Sequence, residues 1–140
     1  MANVVCTTFK PQLLKGEHEL VTDVCNIALY TSSATGLADY TVYSTANEAS
    51  GTGYAAGGIP LQNNVVSTSG TTGYLDFSPD PSWSPVSITA RYALIYNTQA
   101  TTTNSAIFWL DFGTDQTATN GTFTIQLPAP GASALLTVTG

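Results

Sequence analysis

The single histidine, His18, is the first candidate for chemistry, because imidazole is the side chain that most readily exchanges protons near neutral pH. A Ser-His-Asp arrangement is arithmetically available in any chain so rich in serine. His18, however, lies in the charged stretch 16–19, which we expect to be a solvated turn. No strained Gly-x-Ser-x-Gly turn occurs in the sequence to present a nucleophile. The sequence therefore predicts a protein that is not an enzyme, with no catalytic residues.

Two closely spaced pairs of aspartates, Asp76 with Asp80 and Asp111 with Asp115, raise the question of a calcium site. Calcium needs several oxygen ligands that converge from one loop or from neighbouring loops, and neither pair has the pattern of such a loop. Aspartates in turns commonly accept hydrogen bonds from nearby backbone N–H groups instead. We therefore expect turns here and no metal site.

Paired carboxylates also serve in glycosidases, and exposed aromatic rings can stack on sugars. Trp109 lies in an apolar stretch and is expected in the core, whereas Trp83 lies among prolines and is expected nearer the surface. The sequence therefore leaves open a carbohydrate-binding role with Trp83 as the platform, and it favours binding over hydrolysis.

The glycine-rich residues 50–58 invite comparison with a phosphate-binding loop. Such loops present backbone N–H groups at the start of a helix and carry a lysine followed by serine or threonine. Neither the lysine nor a following helix pattern is present here. The stretch instead predicts a flexible turn or a close approach between backbones.

Cys6 and Cys25 are the two cysteines of the chain. Their spacing matches no zinc-binding pattern. We predict that both are small buried residues with free thiols, and we expect no cofactor.

Charged residues make up only 9% of the 140 residues, and the net charge is −6. Nucleic-acid affinity depends on cations at phosphates, and the cations here are Lys10, Lys15 and Arg91. The composition therefore argues against binding to nucleic acid or to anionic membranes. The sequence before Cys6 has no signal-peptide pattern, and no apolar stretch has the length of a membrane span, so we expect synthesis in a cytoplasm.

The scarcity of charge also bears on fold and on assembly. Exposed helix surfaces are usually filled by Glu, Lys, Gln and Arg, whereas Thr and Tyr suit a pleated, half-buried surface. The 12 glycines and 7 prolines supply turns. Because the centres of protein interfaces are depleted in Lys, Glu and Asp, this surface is also suited to burial against another protein.

Local patterns predict one short helix and about eight strands. The helix covers residues 9–16, with Thr8 able to cap it, Pro11 in its first turn and Gly16 as its stop. The predicted strands occupy residues 24–31, 59–61, 64–68, 72–77, 87–97, 105–113, 123–128 and 135–139. Residues 40–45 fit either a strand or a helical turn begun near Ala38, and we expect a strand by residues 47–49.

Turn residues indicate how the strands connect. Ser69-Gly70 predicts a hairpin, Asn120-Gly121 predicts a type I′ turn, and polar residues 98–104 predict antiparallel pairing of their flanking strands. The prolines of residues 78–85 argue against a central strand there. We predict an all-β fold, an antiparallel β-sandwich or jelly-roll-like domain with one short N-terminal helix, over the single domain 1–140.

Several stretches resemble, in the same order along the chain, small virion-associated structural proteins of tailed bacteriophages, some of which are capsid decoration (cement) proteins. The opening of that group is matched by residues 9–16 (FKPQLLKG) and 24–31 (VCNIALYT), and its glycine-rich middle by residues 47–58 (NEASGTGYAAGG). Its paired late strands are matched by residues 90–97 (ARYALIYN) and 110–113 (LDFG). The resemblance implies a non-enzymatic part of the virion.

The resemblance further implies that the chain binds and stabilises the assembled shell at the particle surface, with the major capsid protein or other virion proteins as partners. A homo-oligomer is expected, a trimer being one form. The expected contact residues are Phe9, Leu13, Leu14, Tyr54 and Trp83, although core packing is an equal alternative for the three helix residues. A tail or head–tail accessory protein is the alternative function, and a carbohydrate-binding module is a further one.

Overall fold

The computed structural model describes residues 2–131 and 133–139. In chain order, the elements are β1 (Ala2–Val5), α1 (Phe9–Leu14), β2 (Cys25–Tyr30), a 3-10 helix (Leu37–Asp39), β3 (Ile59–Pro60), β4 (Val65–Ser69), β5 (Thr72–Asp76), β6 (Ser82–Asn97), β7 (Ser105–Thr124) and β8 (Leu136–Val138). The strands pair antiparallel in two sheets. The prediction of an antiparallel, sandwich-like all-β fold with one short helix is confirmed.

The larger sheet has five strands in the order β1-β7-β6-β2-β3. At its centre lies the long hairpin of β6 and β7, in which Ala93 faces Leu110 and Ile95 faces Phe108. Consecutive residues are buried in β2, in the second half of β6 and in the first half of β7. These segments lack the alternation of a half-exposed strand because both of their faces are covered.

The smaller sheet has three strands in the order β4-β5-β8. The predicted hairpin between β4 and β5 is confirmed, and Gly70 in its turn has a φ of 61°. Leu75 of β5 and Phe77 just after it belong to the same buried cluster as Ile27 and Leu94 of the larger sheet. The two sheets therefore share one hydrophobic core.

Helix α1 forms where the sequence predicts it, with Pro11 in the first turn and Gly16, at a φ of 74°, just after its end. Thr8 occupies the N-cap position, but its side chain makes no capping hydrogen bond. Phe9 is buried and Leu13 is half-buried, whereas Leu14 is 89% exposed. Core packing, the alternative given for these three residues, therefore holds for Phe9 and in part for Leu13, and it is wrong for Leu14, which lies on the side of α1 away from the core.

Strand β6 begins at Ser82, so it includes the last four residues of the stretch 78–85, in which no central strand is expected. Strand β2 pairs with β6 only from Tyr92 onward, which leaves the first half of β6 with β7 as its one strand partner. Pro85 lies in that half, at a shift of register between Trp83 and Val86. A residue without an N–H is tolerated at such a site.

The turn predicted at Asn120-Gly121 is also wrong, because both residues lie inside β7. Asn120 has a φ of 47°, and the β6–β7 register shifts at this point between Val86 and Ile88. The left-handed conformation that the Asn-Gly pair favours is used here for a bulge within a strand. A bulge and a hairpin turn draw on the same backbone preference, so the dipeptide alone does not separate them.

Residues 40–49 form neither a regular strand nor a continued helical turn, the two alternatives that the sequence allows for residues 40–45. A 3-10 helix ends at Asp39, and only isolated bridges follow, from Val42 to Ser105 and from Tyr30 to Glu48. The sequence analysis also missed β1, which pairs with β7 from Ala2↔Asp111 to Val5↔Phe108. Strand β1 is only four residues long and shows no alternation of its own, so it depends on pairing.

Candidate functional site

The five residues predicted to make contacts lie in different environments. Phe9 and Trp83 are buried, with 2% and 5% of their surface exposed, so they offer almost no side-chain area to a partner. The expectation that Trp83 lies near the surface is wrong: its ring packs against Tyr54 and Phe123. Leu14 alone among the five is largely exposed. The prediction that these residues form an interface stays a prediction.

Leu13 lies at an apolar groove between α1 and the smaller sheet. The groove has a volume of about 150 Å³, and the other side chains and backbone lining it belong to Leu20, Val66, Gly73, Tyr74, Leu75, Leu136 and Val138. Val66 and Val138 remain 49% and 60% exposed. The α1 side of the molecule therefore covers this sheet face only in part.

Tyr54 belongs to a hydrogen-bonded cluster centred on Glu48. The Glu48 carboxylate accepts hydrogen bonds from the Tyr43 hydroxyl at 2.5 Å, the Tyr54 hydroxyl at 2.6 Å and the Gly57 N–H at 2.8 Å. The Tyr54 hydroxyl in turn accepts a bond from the N–H of Leu29 in β2. Burial, and then the bond to Glu48, raise the pKa of Tyr54, so its hydroxyl stays protonated and donates.

The glycine-rich stretch is held down by this cluster and lies directly on two strands, as the prediction of a close backbone approach requires. A Cβ on Gly51 would lie 1.9 Å from the Ser87 carbonyl oxygen of β6, and one on Gly58 would lie 1.8 Å from the Ile27 carbonyl oxygen of β2. The N–H of Ser87 also donates to the carbonyl of Thr52. The stretch covers part of the sheet and leads directly into strand β3, whereas a phosphate-binding loop leads into a helix.

The outer half of the β6–β7 hairpin carries a regular exposed surface. Its buried face contains Trp83, Val86, Ile88, Ala90, Ala118 and Phe123. On the opposite face, three hydroxyl pairs lie across the two strands: Ser82 with Thr124 at 3.0 Å, Ser84 with Thr122 at 2.9 Å and Thr89 with Thr117 at 2.8 Å. All six side chains are exposed. We call this surface the hydroxyl face.

The hydroxyl face arises from strand alternation in the sequence. Residues on alternate positions of a strand point to opposite faces, and cross-strand partners on one face lie close enough to bond. Ser and Thr at the outward positions therefore meet as pairs, while the aromatic and aliphatic residues between them enter the core. The alternation is readable from the sequence, but the register that pairs the hydroxyls depends on the bulges near Pro85 and Asn120.

His18 is buried, with 7% of its surface exposed, so the expectation of a solvated turn is wrong. Its Nε2 lies 2.9 Å from Gln12 Oε1 and its Nδ1 lies 3.0 Å from Asn97 Nδ2, and its ring packs edge-on against Phe9. Burial lowers the pKa of His18, although the Asp23 and Glu17 carboxylates oppose this shift. The charged neighbours in sequence led to the expectation of solvent, but the His18 ring packs against Phe9 and lies within hydrogen-bonding distance of Gln12 and Asn97.

Two of the four paired aspartates, Asp76 and Asp111, accept hydrogen bonds from nearby backbone N–H groups, as predicted, and Asp80 accepts one from a segment distant in sequence. Asp76 accepts from Phe77, Asp80 from Leu127 and Asp111 from Gly113. Asp111 also forms an ion pair with Arg91 at 2.9 Å, which lowers the pKa of the carboxyl and raises that of the guanidinium. Among the described residues, no group of three or more metal-ligating side chains comes together.

Cys6 and Cys25 are fully buried free thiols, and Trp109 is fully buried, as predicted for all three. Burial raises the pKa of Cys6 to about 11 and that of Cys25 to about 12. Neither thiol is therefore disposed to act as a nucleophile. Over residues 2–131 and 133–139, the helices are all too short or too polar to cross a membrane.

Comparisons with known proteins found no matching protein family, no matching curated protein and no matching solved structure.

Proposed function

We propose that this chain is a bacteriophage virion structural protein, and specifically a capsid decoration protein that binds and stabilises the assembled shell. The observation that carries the proposal is the hydroxyl face, a set of six exposed and uncharged side chains paired across the outer half of the β6–β7 hairpin. The stretches that resemble small phage virion proteins include β2 and parts of β6 and β7. In this proposal the chain is synthesised in the host cytoplasm and acts, without catalysis, at the particle surface.

The hydroxyl face suits burial against a protein surface for an energetic reason. Removing a charged group from water is costly unless it is paired, whereas the hydroxyls here already bond to one another across the strands. They keep those bonds when a partner excludes water, and their remaining lone pairs can accept from backbone groups of the partner. The six side chains of the hydroxyl face include no Lys, Glu or Asp, which matches the composition of an interface centre.

Binding to a shell at repeated sites would stabilise the shell by mass action. A ligand that binds the assembled state and not the free subunits shifts the equilibrium toward assembly, and the shift grows with its concentration. The chain itself needs no catalytic group for this role. It needs a stable scaffold, which the shared core of the two sheets supplies.

The direct test is co-sedimentation of the purified chain with shells prepared from particles that lack it. We expect saturable binding by the unmodified chain and at least about tenfold weaker binding by Thr122→Lys, which places a charge in the middle pair of the hydroxyl face. Thr101→Lys is the matched control, because Thr101 is an exposed threonine of the loop between β6 and β7. Equal binding by both variants would reject the hydroxyl face as the contact surface, and no binding by the unmodified chain would reject decoration.

A tail or head–tail accessory protein is the second candidate, since the same uncharged surface would serve there. Images of particles with and without the chain separate the two, by the place at which density is lost. A carbohydrate-binding module has less support, because the proposed platform, Trp83, is buried against Tyr54 and Phe123. A specific change in tryptophan fluorescence on adding host glycans would favour that module over the first two candidates.

A further inference from the structure

Strand β4 is an edge strand that nothing else in the described chain covers. It pairs with β5 on one side, from Val65↔Asp76 to Ser69↔Thr72, and the order of its sheet places it at the outer edge. Its first four residues are exposed and Ser69 is half-buried. Within residues 2–131 and 133–139, no hydrogen bond from another segment reaches the backbone of β4 on its free side. Its outward N–H and C=O groups are therefore open to a further strand.

Three other free edges, on β3, β7 and β8, are protected in ways that β4 is not, and β1 is a shorter edge strand of four residues. Proteins guard edge strands by making them short, by bulges and by charged residues. Strands β3 and β8 have two and three residues. The free half of β7 has shifts of register near Gly113 and Asn120 and contains Asp115. Strand β4 has five regular residues, Val-Val-Ser-Thr-Ser, with no proline, no bulge and no charge.

The absence of charge on β4 allows a second copy of this chain to approach this edge. Two copies of a chain with a net charge of −6 repel each other wherever their carboxylates meet. Strand β4 is a neutral strip on which two copies can approach closely. Paired with itself in antiparallel fashion, the strand also brings together residues that are small, β-branched and uncharged, a composition that favours cross-strand pairing.

We propose that β4 is a self-association site, at which two copies of this chain pair their β4 strands antiparallel about a two-fold axis through Ser67. Ser67 then faces Ser67 of the second copy, Val66 faces Thr68, and Val65 faces Ser69. The two small sheets become one sheet of six strands. The contact is isologous, so it closes at two copies. This contact gives a surface to the homo-oligomer that the resemblance to phage virion proteins implies, with two-fold symmetry in place of a trimer.

The apolar groove beside α1 adds to the case for this pairing. Val66 lies on the same sheet face as Leu75 and Leu136, because the three residues are register partners. Val66 is 49% exposed at the end of the groove that these residues line. The β4 strand of a second copy would place its Thr68 beside Val66 on that face. Pairing at the edge thereby covers apolar surface as well as backbone groups.

The test uses two charge variants of the exposed residue at the axis, Ser67→Lys and Ser67→Glu. Sedimentation equilibrium across a concentration series should show the unmodified chain and the Thr101→Lys control as dimers. Each Ser67 variant alone should dissociate at least about tenfold more readily, because like charges then face each other at the axis. An equimolar mixture of the two variants should recover the dimer, since Lys then faces Glu. Circular dichroism of each variant shows that its fold is intact.

Three results would overturn the pairing: an unmodified chain that stays monomeric at every concentration, Ser67 variants that associate as the unmodified chain does, or a trimer that the variants leave intact. Shell binding is measured separately with the same proteins. A Ser67→Lys monomer that still binds shells supports both proposals. Dimers that bind no shell uphold the β4 pairing and reject decoration, so the two failures are distinguishable.

Discussion

The side-chain amide of Asn97 donates from Nδ2 to Nδ1 of the buried His18, at 3.0 Å. The orientation of Asn97 is set by two other bonds: its Oδ1 accepts from the N–H of Gln99, and its Nδ2 also donates to the Asp23 carboxylate. Nδ1 of His18 must therefore be an acceptor, and Nε2 carries the proton that is donated to Gln12 Oε1. The structure holds His18 in one neutral tautomer.

We expect stability to fall as the pH is lowered through the titration of His18. The pKa of His18 is lowered in the folded state by burial, so the unfolded chain, with a histidine pKa of about 6.5, takes up the proton first. The contribution of His18 to the free energy of unfolding is complete above about pH 6.5 and is lost progressively below it. The total loss is about 1.4 kcal/mol for each pH unit that separates the pKa of His18 in the folded chain from that in the unfolded chain. Urea denaturation at a series of pH values measures the loss.

His18→Gln is the control for this prediction, since glutamine can hydrogen bond but does not titrate. The variant should be less stable than the unmodified chain at neutral pH, and the difference should shrink as the pH falls. Subtracting the two curves removes the titration of carboxyl groups common to both. A difference that stays constant from about pH 7.5 to 5 would show that His18 does not titrate differently on folding.

The stability of the protein should be sensitive to replacement of the Glu48 carboxylate by an amide. In Glu48→Gln, an amide N–H₂ replaces a carboxylate oxygen and faces donors, because Tyr43, Tyr54 and Gly57 all donate to this side chain. We expect a loss of about 1–3 kcal/mol in the free energy of unfolding, as for other buried polar groups left without partners. Chemical denaturation measures it. Glu19→Gln is the matched control on an exposed glutamate, and equal stability of the two variants would contradict the role given to Glu48.

Gly58 should tolerate no side chain. It has a φ of 76°, and a Cβ there would lie 1.8 Å from the Ile27 carbonyl oxygen, so Gly58→Ala must displace the glycine-rich stretch from β2. Gly70→Ala separates the two effects, since Gly70 has a φ of 61° but no atom within 4 Å of the added Cβ. We expect about 1 kcal/mol of destabilisation for Gly70→Ala and a clearly larger loss for Gly58→Ala. Thermal unfolding that ranks the two variants equally would argue against the close contact.

Both cysteines should be unreactive in the folded protein. Their pKa values are raised by burial to about 11 and about 12, and neither sulfur is exposed, so at about pH 8 almost no accessible thiolate exists. A thiol reagent should modify neither residue under native conditions and both in denaturant. Rapid modification of either cysteine in the native protein would mean that the core opens near β1 or β2.

The sequence was most informative where one local rule acts alone. Helix α1, the β4–β5 hairpin and the apolar strands on either side of residues 98–104 follow from periodicity and turn residues, and all three are present. The prediction of a buried Trp109 is confirmed for the same reason, since a long run of apolar residues is stable mainly in the core.

The failures occurred where tertiary structure decided between equal local options. The Asn120-Gly121 pair forms a bulge because β6 continues opposite it, and Pro85 joins a strand because β2 does not extend that far. Trp83 and His18 are buried by contacts with residues distant in sequence. Tyr54 packs against Trp83, and Asn97 hydrogen bonds to His18. The hydroxyl face was missed for a related reason: it needs the register of two strands, which no single segment contains.

The central claim is that this chain is a component of a phage shell, and reconstruction of particles by electron cryomicroscopy tests it most directly. Particles would be produced by the genome that carries its gene, with and without that gene intact. The proposed function predicts density of the size of this domain at symmetry-related sites on the outer shell, contacted through the hydroxyl face and absent from the deletion particles. Shells that are identical in the two preparations would contradict it.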